Sequence, residues 1–404
     1  MTVLLLVVDA VGVSTWEYIL DHYPGRPRLP NFSRLGLPRI LASRFASRLG
    51  ADGRRTCAMR VEQASASADS VIGHREMVGI TDAGVYELFP QGFPEDFIKA
   101  LEEKIGRRTI FNKMAGGMEA IALNAEEHEK TGRPIVYASK CDPLIQIAMN
   151  EAVIPPAQQH RIAETAFTLA RGMGISVTRA IARAYVRAPN GEITRTANRH
   201  DAVLPLPGPT LVDVLREAGV WTAAVGKTSD LVPAAYNERM KLTQSAFLDP
   251  ALGLRFAHPL RKDTNPYNVQ GTVNALIGAA SLYRPRGSFV FTNLVDADSL
   301  YGHTRDVPGA VRCLEEVDRI LPLFEKNLGK GDILVIIADH GMRHGADYGY
   351  HNKEPLPLIA ERIGYGAGLG GLKAGPGKSL CEIGLLIARA FGLEKEYRRD
   401  CGFP

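Results

Sequence analysis

The sequence predicts an α/β protein: a core built on a mainly parallel sheet with helices on both faces, and a second α+β domain inserted into it. Three observations lead there. Several apolar runs carry no polar alternation, as strands covered on both faces do. Helical patterns separate the later runs. The middle of the chain differs in texture and closes on a Pro-rich hinge.

The first run is VLLLVV at 3–8. No positive n-region accompanies it and Asp9 closes it, so it is too short for a signal h-region or a membrane span and reads as a buried strand. TAAV (222–225), SFVFTNLV (288–295) and ILVIIA (333–338) continue the pattern. Between them, 210–218 reads as a helix stopped by Gly219, and 308–328 as a helix opened by Pro308, closed by Gly329 and open to a kink at Pro322. Strand, helix and strand in alternation give a parallel sheet. This core is expected over 1–90 and 209–404. The inserted domain is expected over 91–208, with helices at 95–105, 124–130 and 157–172, a strand-like IVYAS at 135–139, an RAIARAYV segment at 179–186, and the hinge LPLPGP at 204–209.

A chain of 404 residues has room for two to three domain units and a large core. A net charge of +4 and the lack of a long basic run argue against nucleic acid as the main partner. Five scattered cysteines without a CxxC pair point to reduced thiols, neither a disulfide frame nor a zinc ribbon. No other stretch is long enough to cross a bilayer. The expectation is a soluble, cytoplasmic protein, monomeric, without a membrane or nucleic-acid partner.

In open α/β sheets the working residues gather at the carboxyl ends of strands. Asp9, Asp296 with Asp298, and Asp339 with His340 each follow an apolar run directly. His303 in DADSLYGH and His351 in YGYHNKEP lie close by in sequence. With Asp9, Asp298 and Asp339 they make three carboxylates and three imidazoles, about what two divalent ions roughly 4 Å apart require. Oxygen and nitrogen donors without thiolate suit Mn²⁺ or Zn²⁺ better than Ca²⁺. A lone loop histidine is usually solvated, and His344 reads as such a loop residue rather than a ligand.

SADSVIGHREM (67–77) offers a serine before a Gly-His turn. Its hydroxyl would need a metal to become a nucleophile at neutral pH, and a helix starting there would hold a transferred phosphate on its free N–H groups. A plain helix cap by Asp69 or Ser70 explains the motif equally well.

The ordered set LLLVVDAVGVS, DSVIGHREM, NLVDADSLYGH, ADHG and the later His351 resembles the alkaline phosphatase superfamily, and within it the phosphopentomutases. GFPEDF (92–97), FNKMAGG (111–117), EEHEKTGRPIVYAS (126–139), IARAYV (181–186), TRTANRHD (194–201) and AVGKTSD (224–230) are similar to that family's cap domain and its return to the core. The likeness runs in order over nearly the whole chain. It implies an alkaline-phosphatase-like, metal-binding catalytic core and a substrate-positioning cap. One metal would be held by Asp9, Ser70, Asp339 and His340, and the other by Asp298, His303 and His351. Ser70 takes the place of the family's threonine nucleophile, which is phosphorylated in the working enzyme. Ser139, Asp142, Leu144, Arg183 and Arg199 would meet the substrate, and Lys227 would act in the core. Mn²⁺ is the ion the family implies, with Zn²⁺ and Mg²⁺ as alternatives, together with a sugar bisphosphate activator.

Arg195 completes a basic set with Arg183 and Arg199 suited to a phosphate, since guanidinium forks match its oxygens. Arg75 stands where the family usually carries tryptophan; a charge there would add a phosphate contact or change the sugar accepted. The Ser139–Asp142 spacing is one residue longer than in the family, and the Gly-rich closing segment 364–384 departs from it. The expected activity is a phosphomutase moving phosphate between C1 and C5 of ribose or deoxyribose phosphate through phosphorylated Ser70. The alternatives are a phosphatase or phosphodiesterase on the same core, a mutase for another phosphosugar, and a metal- or phosphate-binding protein without turnover.

Overall fold

A computed structural model of the protein describes residues 1–50, 56–196, 198–242, 249–253, 264–281, 285–344, 349–365, 369, 372, 374–375 and 377–401. They divide into two compact units, Met1–Ala83 with Leu206–Pro404, and Gly84–Pro205. In chain order the strands are β1 (Thr2–Val8), β2 (Cys57–Val61), β3 (Ile110–Ala115), β4 (Ile135–Ser139), β5 (Leu144–Asn150), β6 (Arg179–Arg187), β7 (Ile193–Arg195), β8 (His200–Val203), β9 (Trp221–Val225), β10 (Glu238–Met240), β11 (Ser288–Leu294), β12 (Ile333–Ile337), β13 (Gly341–His344), β14 (Gly349–Asn352) and β15 (Leu356–Arg362).

The first unit is organised by a seven-stranded sheet in the order β10-β9-β11-β1-β12-β15-β2. From β10 to β12 every pairing is parallel, and only β15 runs against its neighbours. Successive side chains of a strand point to opposite faces, and every residue of β11 and β12 is buried, as is β1 beyond its first residue. Both faces are therefore covered, which is why these strands read as unbroken apolar runs. The expected parallel core is met in all four.

Two expected helices form as Leu211–Glu217 and Val307–Lys326. Thr210 caps the first by accepting from the Asp213 N–H, while the Asp213 carboxylate accepts from the Thr210 N–H. Just past it Gly219 takes a φ of 80°, a left-handed turn that glycine adopts without strain. Pro322 lies inside the second helix, which runs on past it. Helices Val13–His22, Asn265–Ser281 and Cys381–Ala390 were not expected. Neither was the antiparallel edge made by β15 and β2.

The second unit holds a six-stranded mixed sheet, β3-β4-β5-β6-β7 with β8 also on β6. The expected helices appear as Glu95–Ile105, Gly117–Thr131 and Pro156–Gly172. Alternation along the strands assigns the two faces. Val136, Ala138, Ile145 and Ile147 pack with Phe97, Leu101 and Ile162, while Ile135, Tyr137 and Ala148 pack with Ala120 and Ile121. β3, β5, β7 and β8 are strands the sequence reading did not separate from loop.

Loss of a helix cap of this kind costs about 1 kcal/mol. Thr210→Ala is expected to lower unfolding stability by that amount, read as a smaller urea midpoint at unchanged m-value, with the sheet intact by circular dichroism.

Candidate active site and metal centre

The parallel strands send their carboxyl ends to one edge of the first unit's sheet. Asp9 follows β1, Lys227 follows β9 across Gly226, Asp298 follows β11, and Asp339 and His340 follow β12. Because β15 is antiparallel, its amino end lies at this same edge, and the β13–β14 hairpin that precedes it brings His351 there. Helix Ser70–Met77 begins there too. Asp69 is its cap, accepting from the Val71 N–H at 2.8 Å, so the Ser70 hydroxyl is left for other work.

Ser70 Oγ lies 3.2 Å from His340 Nε2, 3.2 Å from Lys227 Nζ and 3.5 Å from Asp9 Oδ1. Lys227 Nζ also meets Asp9 Oδ2 at 2.6 Å. His340 Nε2 is 3.3 Å from Asp9 Oδ1 and 3.6 Å from Asp339 Oδ2. Beside this group, Asp298 Oδ1 lies 3.2 Å from both His303 Nε2 and His351 Nε2. The rings of His340 and His351 approach to 3.8 Å between centroids, joining the two groups. Among the described residues of this unit, two sets of donors come within 4.8 Å of one another: Asp9, Asp339 and His340, and Asp298, His340 and His351.

Local backbone choices make this convergence possible. Ala10 takes a φ of 62°, unusual for a residue with a side chain, and its N–H donates to Asp339 Oδ1 at 3.1 Å. Asp298 and His303 are five residues apart, a spacing that would point them away from each other on an α-helix. The segment Ala297–Gly302 is instead a π-turn, closed by the His303 N–H to Asp298 carbonyl bond, and this brings the two side chains together. Gly73 is needed for a close approach. A Cβ there would sit 2.0 Å from the Asp339 carbonyl oxygen, so any side chain would drive helix Ser70–Met77 off the ligand loop.

The residues present fit divalent cations. The donor set is carboxylate and imidazole with no thiolate. His340 and His303 each direct Nδ1 to a backbone carbonyl, of Gly341 and Gly349, which turns Nε2 toward the cluster. Asp339 Oδ2 is buried and forms no hydrogen bond. Burial opposes ionisation of all three carboxylates, yet all three are held low. Asp298 is held down by His303 and His351, Asp339 by His340 and His74, and Asp9 by Lys227 and His340 against the push of Asp339. Burial would lower Lys227, but Asp9, Asp298 and Asp339 raise it. The same carboxylates overcome burial to push His340 up to about 10. A divalent ion competes for the electron pair that holds this proton, so metal uptake would release it.

The second unit carries its own charged face. Arg183 Nε donates to Gln146 Oε1 at 2.9 Å, which also accepts from the Tyr137 hydroxyl at 3.0 Å. Burial, with Arg199 and Arg195 close by, brings the Arg183 guanidinium down to about 9. Arg199 forms a two-pronged pair with Asp201, at 2.6 Å on each prong, and Arg179 lies 4.0 Å from the same carboxylate. Arg199, Arg179 and Arg183 thus act on one acid, and Arg195 lies close to Arg183. Ser139 and Asp142 share a turn between β4 and β5, with Ser139 Oγ 3.4 Å from Asp142 Oδ2. Leu144 is buried as the first residue of β5. In the first unit Arg75 is also buried, its Nε donating to the Leu231 carbonyl at 3.0 Å. The His344 side chain lies outside the described residues.

Three further residues were missed by the sequence reading. His74 and Asn293 lie behind the carboxylates, and the helical i+4 spacing of His74 from Ser70 was a usable signal. Glu354 accepts from the Thr15 N–H and hydroxyl at 3.1 and 2.7 Å, wedged where a Cβ on Gly12 or Gly341 would overlap it. No sequence pattern points to that wedge.

Residues 263–395 match the family model described as Metalloenzyme superfamily, a class that this cluster of acids and imidazoles suits. The chain is 33% identical over 373 residues to a phosphopentomutase of Caldanaerobacter subterraneus subsp. tengcongensis, covering 88% of this chain and 86% of that one. It is 32% identical over 397 residues to a phosphopentomutase of Clostridium kluyveri, covering 95% and 94%. Among solved structures, a phosphoglycerate mutase of Leishmania mexicana aligns over 97% of this chain and 95% of that one, at 10% identity and a TM-score of 0.46, a likeness too slight to carry weight. On the sequence relatives, the chain belongs to the phosphopentomutase family.

Gly73→Ala is expected to lose about 1–3 kcal/mol of stability by overpacking and to lose activity out of proportion to the unfolded fraction, measured by thermal melts beside turnover. Asp201 gives a pH prediction. Burial would raise its carboxyl, but Arg199, Arg179 and Arg183 hold it well below the usual range. Its stabilisation is therefore present above the unfolded value of about 3.9 and is lost as pH falls below it. Asp201→Asn should flatten the acid limb of a stability–pH curve from about pH 5 downward.

Proposed function

We propose that this chain is a metal-dependent phosphopentomutase that carries a phosphoryl group on Ser70 and moves phosphate between C1 and C5 of a pentose. One observation supports the reading above the others: the Ser70 hydroxyl sits at the first turn of its helix, within 3.5 Å of Lys227, His340 and Asp9 at once. Two bound divalent ions, Mn²⁺ by this reading, would lower the pKa of the hydroxyl and neutralise phosphate charge. Asp9, Asp339 and His340 would hold one ion, with Ser70 beside it, and Asp298, His303 and His351 the other.

The chain's own groups account for the rest. A hydroxyl oxygen of the pentose phosphate attacks the phosphorus carried on Ser70, the new P–O bond forms, and the bond to Oγ breaks. Lys227 Nζ, 3.2 Å away, stabilises the negative charge left on that oxygen. The bisphosphate so formed returns its other phosphate to Ser70 by the reverse displacement, and a sugar bisphosphate would prime the serine. Free N–H groups at the start of helix Ser70–Met77 favour the transferred phosphate. The arginine face of the second unit, Arg183, Arg195 and Arg199, suits a phosphate group of the substrate, since its cations outnumber its acid. Ser139, Asp142 and Leu144 are the proposed sugar contacts there. Arg75, held against the Leu231 carbonyl, acts on the substrate through the segment that carries Lys227.

The deciding assay supplies ribose 1-phosphate with Mn²⁺ and a sugar bisphosphate primer, and follows ribose 5-phosphate and free phosphate together. Isomer without matching phosphate is expected; phosphate alone would make the chain a hydrolase. Ser70→Ala should lose about 10³-fold or more in kcat. Lys227→Met should lose roughly 10²–10³-fold with KM little changed.

A further inference from the structure

Phosphoryl transfer leaves a buried histidine and a buried amide without a role. His74 is fully buried four residues beyond Ser70. Its Nδ1 lies 2.9 Å from the Ser70 carbonyl oxygen and 3.2 Å from Asp339 Oδ2, and its Nε2 lies 2.9 Å from Asn293 Nδ2. A ring nitrogen meets a carbonyl oxygen as a donor, so the proton sits on Nδ1 and Nε2 accepts from the amide. The second amide hydrogen of Asn293 goes to Asp9 Oδ2 at 3.1 Å. Turning the amide over would set its oxygen against a carboxylate and an unprotonated nitrogen, so its orientation is fixed.

We propose that His74 and Asn293 form a positioning relay that holds Asp9 and Asp339 from behind and keeps both aimed at one metal ion. The proposal rests on the metal reading of Asp9, Asp339 and His340. Two buried carboxylates repel, and without fixed donors one of them rotates away or takes a proton. Asn293 donates to Asp9 Oδ2, and the Nδ1 edge of His74 stands 3.2 Å from Asp339 Oδ2, so each carboxylate has one fixed contact behind it. It also has its own anchors: the His74 ring stacks on Phe291 at 5.6 Å, and the Asn293 backbone carbonyl accepts from Asn268 Nδ2 at 2.9 Å. Through the Ser70 carbonyl, the nucleophile's helix and the ligand Asp339 are tied to one ring. A pair that merely satisfied its own hydrogen bonds in the core would lower stability when removed and would not single out one ion.

The test titrates the full-length chain with Mn²⁺, reading free ion by electron paramagnetic resonance, for the wild type and for His74→Phe, His74→Gln and Asn293→Ala. The wild type should take up two ions. His74→Phe and Asn293→Ala should each weaken one of them by about 10–100-fold and leave the other unchanged, with kcat recovering at high Mn²⁺ and KM for the sugar phosphate constant. His74→Gln, which can both donate and accept, should restore most of the affinity. Unchanged affinity in Asn293→Ala, a loss in His74→Gln as large as in His74→Phe, or an equal loss of both ions that tracks a fall in melting temperature would overturn the relay, and Asn293→Ala decides even where His74→Phe does not fold. A wild type that takes up no Mn²⁺ would overturn the metal reading itself.

Discussion

Three buried carboxylates gathered at one sheet edge are the constraint around which the first unit is arranged. Asp9 and Asp339 are wholly buried and Asp298 nearly so. Left to themselves such groups would protonate or separate, because burial and mutual repulsion both oppose charge. The chain holds them with partners in fixed positions: Lys227 against Asp9, His340 between Asp9 and Asp339, and the His303 and His351 rings against Asp298. Removing one partner of a buried pair costs about 3–5 kcal/mol, so this balance matters to folding as well as to chemistry. A serine placed in the middle of it, 3.2 Å from the lysine, sits in the field a phosphate would need.

The topology follows from the need to deliver those charges to one place. Parallel strands bring Asp9, Lys227, Asp298 and Asp339 to the same edge, and the single reversed strand β15 lets a hairpin carry His351 to it. Short-range devices then set the side chains within bonding distance. A left-handed turn at Ala10, a π-turn after β11, and glycines at 12, 73 and 341 each permit an approach that ordinary backbone or a Cβ would prevent.

Much of this was legible in the sequence. The four apolar runs became adjacent strands of one sheet because a strand buried on both faces has no polar alternation to misread. Asp9, Asp298 and Asp339 stood out because each follows such a run. What stayed hidden was long-range. The His74–Asn293 contact joins residues far apart in the chain, and the wedge of Glu354 between Gly12 and Gly341 depends on three separate segments. Strand β5 passed for loop because Pro143 and the turn at 139–142 masked its start. The reversed edge of β15 and β2 gave no signal, since an apolar run does not record its direction.

The most direct measurement is anomalous diffraction from crystals of the full-length chain grown with Mn²⁺. The account predicts two anomalous peaks roughly 4 Å apart, one ligated by Asp9, Asp339 and His340 with Ser70 beside it, and one by Asp298, His303 and His351. No peak at these residues, or ions bound only elsewhere on the chain, would contradict it.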